Sequence, residues 1–141
     1  MLKNKTALSL SPLALLTLAA CGSSTSSSTS SSGAVQNGPL EGAFAFLDLH
    51  IAGTFAGDGV YNVATEQGMA TQGATGAFGV AGGYSLTEPA SGNYTLIATT
   101  NAATMDADTG TAYGAGITLK APEGASVISP QTTLVESIVA A

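Results

Sequence analysis

Twelve consecutive residues, Gly22 to Gly33, consist of serine and threonine framed by glycine. This tract constrains what the rest of the chain can fold into. Having no apolar side chain and no charge, it cannot bury enough surface to offset the entropy of ordering, and its composition predicts a disordered tether. As a flexible coil it would reach on the order of 20 Å. It separates a short apolar leader from residues 34–141, which leave room for one domain.

The leader opens with Lys3 and Lys5 and continues as an apolar run from Ala7 to Leu18, interrupted by Pro12. That run is shorter than the roughly 20 residues needed to cross a bilayer and ends in small residues suited to cleavage. A plain secretory leader would fit these features. The sequence Leu18-Ala19-Ala20-Cys21 contains the chain's one cysteine and resembles the lipobox of bacterial lipoproteins. The resemblance implies a signal peptide over 1–20, a diacylglycerol on the Cys21 thiol, and Cys21 as the new N-terminus. It also implies attachment to the bacterial cell envelope, at the outer membrane, through acyl chains. An unpaired thiol is a liability in an oxidising compartment, and acylation would account for a single cysteine.

Without Lys3 and Lys5, Lys120 stands against nine acidic residues, so the formal charge moves from −6 to −8. Phosphate recognition draws on clustered Lys and Arg, which excludes nucleic acid as a natural partner. Attraction to anionic lipid is excluded on the same ground, leaving the acyl chains to hold the membrane. Charged residues make up 9% of the chain and glycines number 18, a composition that favours short strands and tight turns over helices.

The pattern along residues 34–129 agrees. Strands are predicted at Ala43–Leu49, Val60–Ala64, Gly76–Val80, Gly83–Thr87, Asn93–Thr100, Gly116–Ala121 and Val127–Ile128, with Asp106–Gly110 as a polar turn. In the fifth of these, Tyr94, Leu96 and Ala98 share one face. So many short strands suggest a β-sandwich. Ser129-Pro130 then reads as a cap followed by proline at the first helical position. Leu134, Val135, Ile138 and Val139 fall on one face of an amphipathic helix over 130–141. That helix either frays at Ala141 or continues in a longer protein.

The stretches Gly38 to Ala43, Phe46-Leu47-Asp48, Gly57 to Asn62, Gly92-Asn93-Tyr94 and Leu119 to Gly124 together resemble serine-aspartate repeat B-type modules. These are prealbumin-like, Ig-like β-sandwiches of bacterial secreted and surface proteins. The resemblance spans roughly Gly38 to Val139 and implies a calcium loop after the first strand. Asp48, Asp58, Asn62 and Glu66 match its ligand positions, although His50 to Gly57 is inserted between the first two. Calcium takes six to eight hard oxygen ligands, which suits these residue types. Asp58-Gly59 is equally an ordinary turn dipeptide, and Asp106 to Gly110 reads as a hairpin turn.

No catalytic constellation is found, and the chain reads as a non-enzyme. His50 is the single histidine, no serine sits in Gly-x-Ser-x-Gly, and no phosphate loop follows a strand. Two classes of function remain: a structural or adhesive module on the cell envelope, and a module that binds glycan or a small molecule. Tyr61, Tyr84, Tyr94 and Tyr113 could offer aromatic platforms. The absence of tryptophan favours the structural class.

Overall fold

The computed structural model describes residues 28–51, 55–90 and 93–139. The leader, the lipobox with Cys21, and the tether through residue 27 lie outside the described residues. In chain order the strands are β1 (Ser30–Val35), β2 (Leu40–Glu41), β3 (Phe44–Ile51), β4 (Phe55–Ala56), β5 (Gly68–Ala70) and β6 (Gly83–Thr87). Then follow β7 (Asn93–Thr99), β8 (Met105–Asp106), β9 (Thr111–Ala112), β10 (Thr118–Ala121) and β11 (Val127–Ile128). Helix α1 (Pro130–Val139) closes the described chain.

The chain is mainly β and sandwich-like. A five-stranded sheet has the order β10-β7-β3-β4, with β5 also paired to β3. A three-stranded sheet, β11-β1-β6, faces it, and a small third sheet, β2-β8-β9, lies to one side. Antiparallel pairing in β3 and β7 sets Ala45 against Ala98, Leu47 against Leu96 and Leu49 against Tyr94. Successive side chains in a strand alternate between faces, so this register turns one apolar set inward. Those residues meet Val35, Tyr84, Leu86 and Ile128 of the opposite sheet in one buried core.

The predicted strands β6, β7, β10 and β11 are found, and β3 runs two residues further than expected. Val60–Ala64 and Gly76–Val80 are turns instead. At Asn62, Oδ1 accepts the Ala64 amide at 3.0 Å while the carbonyl accepts the amides of Thr65 and Glu66. An asparagine that satisfies its own turn in this way competes with strand pairing.

The folded domain also starts earlier than the composition predicts. Ser30 to Gly33 belong to β1, paired antiparallel with Thr87 to Tyr84, and are therefore sheet rather than tether. Ser31 is buried opposite Leu86, and Ser32 Oγ lies 2.8 Å from Ser85 Oγ on the outer face. Gly33 permits the close approach of the β11 segment, because a Cβ there would stand 2.0 Å from the Ser126 carbonyl oxygen. The partner strand's backbone supplies what the serines' side chains lack.

Helix α1 begins where the cap residues predict. Ser129 Oγ accepts the Thr132 amide at 3.2 Å and Thr132 Oγ1 accepts the Ser129 amide at 2.8 Å, a reciprocal cap. The Thr132 hydroxyl donates to the Lys120 carbonyl at 2.8 Å, and Thr133 Oγ1 accepts the Lys120 amide at 2.7 Å. The helix is thus docked on β10 by its polar face. Its apolar stripe points outward, with Leu134, Val135, Ile138 and Val139 all exposed.

Candidate functional site: a polar cleft beneath the C-terminal helix

The outer face of the five-stranded sheet carries Phe44, Phe46, Asp48 and His50 from β3. Their β7 partners in register are Thr99, Ile97, Thr95 and Asn93. The first part of this face is covered by an aromatic cluster. Tyr61 packs edge-on to Phe44 and Phe46, with ring centroids 4.9 Å and 5.6 Å apart. The next part lies under α1 and is polar. There a cleft of about 560 Å³ opens, lined by Asp48, His50, Thr95, Lys120, Thr133 and Glu136, among others.

Three side chains in the cleft are linked. The Thr95 hydroxyl donates to Glu136 Oε1 at 2.8 Å, and His50 Nε2 lies 3.0 Å from the same hydroxyl oxygen. A hydroxyl has one proton to give. With that proton on the carboxylate, the tautomer of His50 that carries its proton on Nε2 completes the set. The trio ties β3, β7 and α1 together. Its evident role is to hold α1 on the sheet, and Glu136 is the helix's buried residue.

Asp48 sits at the cleft's inner end with 1% of its surface exposed. Its Oδ2 accepts the Gly59 amide at 3.0 Å, while Oδ1 is buried without a partner. Burial pushes the carboxyl's pKa above its ordinary value. The Gly59 amide opposes that shift, the charges of Glu66 and Asp58 add to it, and His50 opposes it.

The insertion His50 to Gly57 does not keep Asp48 and Asp58 apart. Its ends form a hairpin in which His50 and Ile51 of β3 pair with Ala56 and Phe55 of β4. The chain therefore returns beside Asp48. All four expected calcium ligands lie along this one loop, and their side chains brace it. Glu66 Oε1 accepts the Leu49 amide at 3.0 Å and Oε2 the Asn62 amide at 2.7 Å. Asp58 Oδ1 accepts the Val60 amide at 2.9 Å, and Asn62 Oδ1 is held by Ala64. Among the described residues no group of three acidic, histidine or cysteine side chains is placed to hold a metal ion. Five of the seven side-chain oxygens of Asp48, Asp58, Asn62 and Glu66, the ligands the resemblance implies for calcium, each accept a backbone amide.

Two of the four tyrosines are buried and two are half-buried. Tyr84 and Tyr94 are buried in the core, and Tyr61 is packed on two phenylalanines. Tyr113 packs against the core and accepts a hydrogen bond from Asn37 Nδ2. Asp106 Oδ1 accepts the amides of Asp108 and Thr109, so that loop is the β8–β9 hairpin turn.

Sequence reasoning missed Thr95, Lys120 and Glu136. Thr95 was detectable, since it falls on the polar register of β7 opposite the face of Tyr94, Leu96 and Ala98. Glu136 offered a weaker signal, as the lone acid one turn beyond Thr132 and Thr133. Comparison with family models, curated proteins and solved structures finds no match to this chain.

Proposed function

We propose that this protein is a lipid-anchored module of the bacterial cell envelope, with a structural or adhesive role and no catalytic activity. The observation that carries the reading is Leu18-Ala19-Ala20-Cys21, which stands eight residues ahead of the first described strand. Acylation at Cys21 would hold the domain near a membrane, on a linker that spans roughly 30 Å at full extension. The sandwich-like architecture and the resemblance to prealbumin-like surface modules support the structural role. The engagement of Thr95 by Glu136, which docks α1, supports a non-catalytic one. No helix among the described residues is long and apolar enough to cross a membrane. The test is fractionation of cells expressing the full chain. The wild type should partition with outer membranes and Cys21→Ser should be released; equal partitioning of both refutes the anchor.

A second reading, a module that binds a small polar molecule or glycan, is favoured by one observation. Asp48 Oδ1 is unpartnered at the inner end of a cleft that also presents Lys120. A polar ligand that accepts a hydrogen bond from Lys120 and lies over the Asp48 end of the cleft suits this chemistry. Melting shifts with monosaccharides, abolished by Lys120→Ala, would support it, and their absence would remove it.

A further inference from the structure

We infer that α1 is a membrane-contacting element, its outward stripe of Leu134, Val135, Ile138 and Val139 lying in the interface of the bilayer that anchors Cys21. The inference rests on the lipid anchor proposed above.

The helix is mounted with its polar side inward. Thr132, Thr133 and Glu136 bond to the sheet, while Leu134, Ile138 and Val139 are 65%, 70% and 71% exposed. Four large apolar side chains on adjacent turns of one helix form a contiguous patch, unlike apolar residues scattered singly over a surface. The helix's single ionisable residue, Glu136, is turned inward, so no charge would have to leave water when the stripe meets lipid.

The stripe lies at the end of the domain where the anchor attaches. The Glu88 amide donates to the Thr29 carbonyl at 2.9 Å, and the Tyr94 hydroxyl donates to Glu88 Oε1 at 2.8 Å. Tyr94 and Val139 line the same cavity. The start of β1 and the C-terminal turn of α1 therefore sit at one end. Ser30 belongs to the opposite sheet. Sheets pack about 10 Å apart and a helix adds about 10 Å, which puts Ser30 roughly 20 Å from the outward surface of α1. The residues between Cys21 and Ser30 can span roughly 30 Å, so the anchor and the stripe can reach one bilayer together.

A second copy of the chain fits less well. A ten-residue helix is about 15 Å long, and its stripe falls far short of the roughly 800 Å² per partner of a stable protein interface. In a lipoprotein the acyl chains supply affinity, and the stripe only has to orient the domain. The acidic surface makes a zwitterionic bilayer the appropriate lipid.

The test uses the full, lipidated chain in phosphatidylcholine vesicles that contain brominated acyl chains. A fluorophore is placed on Ile138→Cys or, at the opposite end of the domain on the β8–β9 hairpin, on Thr111→Cys; the acylated Cys21 thiol does not react. Brominated lipid should quench the label at 138 several-fold more than the label at 111, and aqueous iodide should show the reverse. Adding Leu134→Ser and Val135→Ser, two exposed positions, should equalise the two labels while the circular dichroism spectrum stays unchanged. Equal quenching at both sites in protein that floats with the vesicles overturns the inference. So does a label at 138 shielded from iodide but not quenched by lipid, which would mean that protein covers the stripe. Protein that does not float at all overturns the anchor itself, and the inference with it.

Discussion

The two faces of the five-stranded sheet are stabilised by different physics. Inward, Ala45, Leu47, Leu49, Leu96, Ala98 and Leu119 pack against the opposite sheet, and the stabilisation scales with the apolar area removed from water. Outward, the face divides between an aromatic cluster and a polar cleft in which Asp48, Thr95 and Glu136 are buried, with the buried Glu66 bracing the adjoining loop. There the energy depends on whether each buried oxygen and amide has a partner, since an unmade bond costs more than a made one contributes. An apolar core loses stability by degrees as volume is removed. A polar face is sensitive to single atoms.

Substitutions on the two faces should separate these regimes. Leu96→Ala, fully buried in the central strand β7, should cost about 2–5 kcal/mol by chemical denaturation, the range for a large-to-small core change. Glu66→Ala should come next. It strips acceptors from the Leu49 and Asn62 amides, at about 1–3 kcal/mol for each group left unsatisfied. Glu66→Gln keeps one carbonyl acceptor and should recover part of the loss. If Glu66→Ala proved neutral, the carboxylate brace would be wrong.

Thr95→Val tests the cleft more narrowly, because it preserves shape while leaving Glu136 Oε1 without its donor. A loss of about 1–3 kcal/mol is expected. It should be accompanied by faster amide exchange in α1 than in β10, since the hydroxyl helps to dock the helix. Uniform loosening of both elements would show that Thr95 matters only for packing.

Asp48→Asn should act in the opposite direction at neutral pH. With its pKa raised in the folded state, Asp48 contributes stability below the ordinary carboxyl range and loses that contribution as pH rises through the folded value. The wild type should therefore weaken across that window. Asp48→Asn, whose Oδ1 can still accept the Gly59 amide, should flatten the profile and melt higher at pH 7. A lower melting temperature at pH 7 would mean that the carboxylate has a partner after all.

Tyr84 gives the smallest neutral-pH effect. Its hydroxyl is buried without a partner, and burial pushes its pKa up to about 12. Tyr84→Phe should be close to neutral at pH 7. It should also remove the part of the alkaline stability loss that falls between pH 10 and 12, where the unfolded chain ionises and the folded one does not.

The legibility of the chain followed the same division. Tyr94, Leu96 and Ala98 announced the inner face because alternation is visible in one dimension, and β6, β7 and α1 were found where the pattern placed them. Strand β1 was hidden, since serine carries no periodic signal and its pairing depends on β6, some fifty residues away. The amphipathic stripe located α1 but could not say which side docks, because the deciding bonds run from Thr132 and Thr133 to Lys120. Asp48 and Glu66 were legible as oxygen donors near a loop. Their partners were not, because backbone amides leave no mark in a sequence.

The central claim, attachment through Cys21, is tested most directly by the mass of the N-terminal peptide of protein extracted from membranes. The account predicts a chain that begins at Cys21 and carries a diacylglyceryl group, with its α-amine acylated or free. An unmodified Cys21 within a longer peptide, or a mature N-terminus at another residue, would contradict it.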